Sequence, residues 1–162
     1  GHPLDDNPDD GGALAHWYRN GGDVTHRHWK RLRKSTRQQI LDYLHSLPVS
    51  REVQVGGTIY RLIHGAPAEL WEQNTDSRYR NPTHFAVWRR LEEHDPMPAG
   101  VTVIFGHTPT RHYRDIAPME VWHGENRIGI DCGSGYPEHG ENSHYGRLAC
   151  LRLEDGRVFY SE

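Results

Sequence analysis

The chain has 162 residues, 35% of them hydrophobic and 25% charged, with a formal charge of −3. That length allows one domain with a modest core. The acidic balance leaves no electrostatic footprint for nucleic acid or an anionic membrane. No apolar run is long enough to span a bilayer and no signal peptide is visible, so the expected location is cytoplasmic.

The chain opens Gly1-His2-Pro3 without a methionine, which reads as a processed chain or a fragment. Residues 1–12 are acidic and rich in Asp, Pro and Gly, and read as a flexible N-terminal segment. Residues 13–162 follow as the folded part, without an internal repeat or a linker long enough to divide it. Ala13 to Arg19 is a short helix candidate that stops at the turn signal Asn20-Gly21-Gly22. Next comes a basic run of Arg27, Lys30, Arg31, Arg33 and Lys34 holding His26-x-His28. Its positive charge opposes a cation, so a solvated helix or loop face is expected there rather than a metal pair.

A second helix is predicted from Thr36 and Gln39, which have capping-box spacing, and from the stripe Ile40, Leu41, Tyr43, Leu44 and Leu47; Pro48 ends it. The alternating runs Glu52–Val55 and Thr58–Ile63, joined by Gly56-Gly57, predict a β-hairpin. Thr83 is a candidate cap for a helix carrying Phe85, Trp88 and Leu91, closed by Pro96 and Pro98. Val101 to Phe105 is a continuous apolar run, as in a strand buried on both faces. Further short strands are expected near Ile128 to Asp131, Arg147 to Leu153 and Val158 to Tyr160, with Asp155-Gly156 as the last hairpin turn. Cys132 and Cys150 are too few for a disulfide framework and are not spaced for a zinc knuckle; burial in neighbouring strands is expected.

Histidine is the unusual residue, at 13, and position rather than number must select among them. His64 and His107 each follow an apolar strand directly, beside a glycine and near a proline. Such a place presents an imidazole on a rigid approach, where it can bind a metal or serve phosphoryl transfer. His112, His123, His139 and His144 fall in loops with no partner to assign. No Gly-x-Ser-x-Gly, P-loop or cysteine-based triad is present.

Six landmarks occur in order: Asn20-Gly21-Gly22-Asp23-Val24-Thr25, Leu47-Pro48, Leu62-Ile63-His64-Gly65-Ala66-Pro67, Val87-Trp88-Arg89-Arg90, Ile104-Phe105-Gly106-His107-Thr108-Pro109 and Ile130-Asp131-Cys132-Gly133. Together with Gly146 to Gly156, this set resembles the C-terminal half of bacterial serine/threonine phosphatases in the calcineurin-like metallophosphoesterase superfamily. The resemblance runs from about Trp17 to the end. It implies an α/β (α+β) fold, one half of that family's sheet-on-sheet sandwich with outer helices. It also implies a phosphoesterase of the serine/threonine phosphoprotein phosphatase kind, in which a hydroxide bridging two divalent ions attacks phosphorus while the ions hold the phosphate oxygens. On that pattern His64 and His107 are ligands of one metal and Arg90 is a phosphate clamp, its planar fork matching two oxygens. Asp131 is expected to bond a ligand histidine from behind. Mn²⁺ is the expected ion, with Fe and Zn²⁺ also compatible.

The departures are as informative. The family's Gly-Asp-x-His-Gly, Gly-Asp-x-x-Asp-Arg-Gly and Gly-Asn-His-Glu motifs, which supply the other ligands and the general acid, match nothing in this sequence. Two of about six protein ligands do not make a tight dinuclear site, so this chain alone is expected to be metal-free and inactive. Its partners are then a phosphoprotein or other phosphomonoester, and either a second copy or a missing N-terminal half to cover exposed strand edges. No nucleic-acid or membrane partner is expected. The alternative is a non-catalytic binding module or decayed paralogue of the same fold.

Overall fold

The computed structural model describes residues 11–135 and 146–161. The flexible segment expected over residues 1–12 therefore falls, up to residue 10, outside the described residues, as do His139 and His144. The chain divides into two compact units, one up to Leu47 and one from Pro48 onward.

The first unit is helical: α1 (Gly11–Arg19), α2 (Gly22–Lys30) and α3 (Lys34–Ser46). α1 ends where the Asn-Gly-Gly signal places its end, and Gly21 takes φ 81°, a left-handed value that glycine adopts at least cost. His26, expected on a solvated helix or loop face, is instead buried, 2% exposed. Its Nδ1 meets the Tyr18 hydroxyl at 2.5 Å and its ring lies 5.7 Å from that of Trp17. The charged run around it conceals one inward position of α2, while His28 stays exposed. α3 departs from expectation in its cap and in its burial. Its N-cap is Arg33, with no side-chain cap, so the Thr36 capping box is not formed. None of its residues is buried, and Tyr43, Leu44 and Leu47 remain exposed apolar side chains.

The second unit is mixed α/β. It contains β1 (Ser50–Val55), β2 (Thr58–Ile63), α4 (Pro82–Trp88), β3 (Thr102–Phe105), β4 (Trp122–Gly124), β5 (Arg127–Gly129), β6 (Ala149–Leu151) and β7 (Val158–Tyr160). Single 3₁₀ segments lie at Ala68–Gln73 and Thr110–His112. Five strands form one sheet in the order β1-β2-β3-β5-β4, and β6 with β7 forms a second, antiparallel pair. The β1–β2 hairpin turns through Gly56 and Gly57 at φ 57° and 87°, as a two-residue turn of the favoured twist requires. β2, β3 and β5 run parallel, with Leu62 beside Ile104 and Ile104 beside Ile128. β4 was not legible in the sequence; it pairs antiparallel with β5 at the sheet edge.

β3 is the central strand and, as its unbroken apolar run predicts, Val103, Ile104 and Phe105 are buried. Phe105 stands edge-on to Tyr113 and Trp122, which stack on each other with centroids 4.6 Å apart. Ala66, Phe85, Leu91, Val103, Phe105 and Trp122 form the core cluster. The helix cap expected at Thr83 is instead Asn81, whose side chain accepts the His84 N–H at 2.9 Å, with Pro82 at the first helical position. Arg127 is a buried cation 6% exposed, and its fork donates to the carbonyls of Glu92 at 2.8 Å, Asp95 at 2.6 Å and Glu125 at 3.1 Å. Of the two cysteines, Cys132 is buried and burial pushes its thiol pKa up. Cys150 is exposed, so the burial expected of both holds for one.

Because Phe105 is enclosed by aromatic rings that cannot close over a void, Phe105→Ala is expected to cost about 3–5 kcal/mol in denaturant unfolding. A loss below about 1 kcal/mol would contradict this description of the core.

Candidate functional site

Parallel strands that stop together leave their following loops side by side, which is where ligands bind in open α/β sheets. Here β2 runs into His64, β3 into Gly106-His107 and β5 into Ile130-Asp131. The loops are tied to one another by backbone hydrogen bonds. Gly106 donates to the His64 carbonyl at 3.0 Å, Ile130 to Phe105 at 3.0 Å and Thr110 to Asp131 at 2.8 Å. All three candidate residues therefore leave the same edge of the same sheet.

The imidazoles of His64 and His107 lie with ring centroids 4.9 Å apart and planes inclined by 52°. His64 is exposed and His107 half-buried. Thr108 N–H donates to the Gly106 carbonyl at 2.6 Å across His107, whose φ is 63°. A three-residue turn with positive central φ is rare and strained, and such strain is held where surroundings over-determine it. The neighbour that fixes the ring is Trp88: its carbonyl lies 3.1 Å from His107 Nε2, and its indole stands edge-on at 6.1 Å. A carbonyl only accepts, so Nε2 carries the hydrogen and Nδ1 keeps the lone pair.

Burial lowers the pKa of His107, reinforced by the neighbouring His64 and by Arg90, and opposed by the Trp88 carbonyl and Asp131. Arg90 and Asp131 are thus both close enough to act on this ring. Arg90 is exposed and has no carboxylate partner among the described residues. Its neighbour Arg89 is occupied: Nη2 donates to Asp95 Oδ1 at 2.8 Å and the guanidinium lies 5.6 Å from the Phe85 ring centre. Of the adjacent arginines, Arg90 is the one left available for an anion. Asp131 does not bond either imidazole among the described residues. Its Oδ1 accepts the Gly133 N–H at 3.0 Å, and the hydrogen bond expected from it to a histidine comes for His107 from Trp88 instead.

Two converging imidazoles, one poised neutral with a free Nδ1, fit part of the ligand set of a single divalent ion. They do not suffice for two ions, and no group of three or more His, Cys, Asp or Glu among the described residues could hold one. Beside the site a cleft of about 550 Å³ is walled by Asn74, Arg78, Tyr79, Trp88, Arg90 and Glu92, among others. It meets the histidine pair at Trp88 and Arg90. His112 and His123 are exposed, and His112 Nε2 lies 3.6 Å from Glu92. The part played by the Trp88 carbonyl is not legible in the sequence, because a main-chain acceptor leaves no signature in residue type.

Comparison of the chain with family models, with curated proteins and with solved structures finds no match. No helix among the described residues is long and apolar enough to cross a membrane.

The lowered pKa gives a titration test. With the folded value below the ordinary 6.5, the unfolded chain binds this proton first; the His107 contribution to stability is complete above about 6.5 and is lost as pH falls. An NMR titration of the His107 ring is expected to show a midpoint below 6.5. A midpoint at or above that value would contradict the account of its surroundings.

Proposed function

We propose that this chain contributes the C-terminal part of a metal-dependent phosphoesterase site acting on phosphomonoesters, with phosphoproteins as the favoured substrates. The observation that supports this most is the pairing of His64 and His107, centroids 4.9 Å apart, next to Arg90, an exposed arginine without a carboxylate partner among the described residues. When bound, a pair of divalent ions, Mn²⁺ in the first place, supplies polarisation of the phosphoryl oxygens and a nucleophile at neutral pH.

The chain's own residues have definable tasks in this reading. His64 and His107 offer neutral nitrogens as ligands to one ion, and the Trp88 carbonyl keeps the His107 ring in the tautomer that offers Nδ1. Arg90 holds phosphoryl oxygens through its forked donors and stabilises charge that grows on them in the transition state. Asp131 places a negative charge near the cation site while its own loop is pinned by Gly133. The cleft beside Arg90 gives room for whatever carries the phosphate, and its mix of arginine, carboxylate and aromatic walls suits a polypeptide. The remaining ligands and the general acid come, on this proposal, from a segment bearing the motifs that these residues lack. Such a segment, or a second copy, would also cover exposed apolar side chains such as Ile116, Leu148 and Phe159.

The test compares this chain alone with a longer protein in which the missing motifs are joined to it, using an aryl phosphate and Mn²⁺. The chain alone is expected to be inactive and the completed protein active, with Arg90→Ala lowering turnover about 10²–10³-fold. Turnover by the chain alone that His107→Ala abolishes would contradict the division of ligands. A completed protein that binds Mn²⁺ yet hydrolyses nothing would favour the non-catalytic module.

A further inference from the structure

We infer that the C-terminal turn of α4 is the positioning element of the histidine pair, holding the His64 loop through Gly65 and the His107 ring through the Trp88 carbonyl. The inference rests on the phosphoesterase reading for its meaning, though its test does not.

The last carbonyls of a helix have no partners within it and must find them elsewhere. In α4 they find them mostly in the two histidine loops. The Phe85 carbonyl accepts from Arg89 N–H at 2.9 Å, an ordinary last turn. The Ala86 carbonyl accepts from both Gly65 and Ala66, each at 3.1 Å. The Trp88 carbonyl takes the His107 ring hydrogen. The loops after β2 and β3 are therefore fastened to a single backbone turn, and that turn sets how far apart their imidazoles stand.

Gly65 makes the fastening possible. A Cβ placed there would lie 2.8 Å from the Ala86 carbonyl oxygen, 2.8 Å from that of Arg89 and 3.1 Å from that of Val87. All three are main-chain atoms, so no side chain can swing aside. Gly65 is absent from the positive-φ glycines, so space and not backbone conformation demands glycine here. α4 cannot easily retreat either. Asn81 caps its start, and Phe85 is locked against Tyr79 and Trp71 at ring distances of 5.2 and 5.8 Å. Beyond its end Arg89 is bound to Asp95, whose loop is strapped by buried Arg127. A side chain at position 65 must push the His64 loop off the helix, and the shared turn transmits the disturbance to His107.

The test uses the whole chain, labelled with ¹⁵N, and Zn²⁺ alone as the probe. Long-range proton–nitrogen spectra of the imidazoles report the tautomer of His107 and, during titration, metal binding at each ring. In the unaltered chain His107 is expected as the Nε2–H form, and Zn²⁺ should shift His64 and His107 together with one Kd. Gly65→Ala is expected to abolish the single-tautomer signature and weaken Zn²⁺ at the pair about 10–100-fold, the usual loss when an outer partner is removed. Gly57→Ala is the control. It strains a glycine at φ 87° with no atom near an added Cβ, and should leave both readouts unchanged. If Gly65→Ala does not fold, Asn81→Ala takes its place, loosening α4 from the far end with a several-fold loss of Zn²⁺ affinity. A folded Gly65→Ala or Asn81→Ala chain with unaltered tautomer and affinity overturns the inference. A completed protein without phosphatase activity would overturn the functional reading and leave these results standing.

Discussion

Parallel pairing of β2, β3 and β5 constrains everything else in the second unit, because it brings three strand ends, and the loops that follow them, to one edge of the sheet. Parallel strands need covered faces, and the central one is covered: Val103 and Phe105 pack into the aromatic cluster while Ile104 is buried beside them. With Leu62, Ile104 and Ile128 level across the sheet, His64, His107 and Asp131 emerge within two or three residues of that line. Shifting β2 by one residue would turn His64 to the other face of the sheet. The site is thus a consequence of register before it is a consequence of side-chain chemistry.

A second layer of constraint comes from α4 and the loop behind it. A buried guanidinium is costly unless its donors are satisfied, and Arg127 meets this with three main-chain carbonyls. Those bonds fix residues 92–95, which present Asp95 to Arg89 and so secure the end of α4. The same turn of α4 receives the histidine loops. Polar bonds that look remote from the imidazoles therefore decide where the imidazoles stand. They also sort Arg89 from Arg90, since Asp95 occupies the first, while the second is exposed with no carboxylate partner among the described residues.

Much of this second unit was legible in the sequence where one local rule dominated. The Gly56-Gly57 turn, the apolar β3 run and the strands at β5, β6 and β7 follow from turn chemistry and patterning. The placement of His64 and His107 after strands followed from the same reading. The misses share a cause. Asn81 rather than Thr83 caps α4, and Arg33 rather than a capping box starts α3, because several polar residues near a helix start compete for one role. His26 is buried within a charged run because a single inward residue leaves no periodic signal. Parallel pairing depends on contacts between distant segments, and the Trp88 carbonyl belongs to the main chain, so neither is written in residue type.

The central requirement is that His64 and His107 can serve one ion. Crystals of the chain soaked in millimolar Zn²⁺, measured on both sides of the zinc absorption edge, test it directly. The account predicts an anomalous peak between the two rings, about 2.1 Å from one nitrogen of each and from Nδ1 of His107. Rings turned apart by more than about 10 Å, or zinc found only on other histidines, would contradict it.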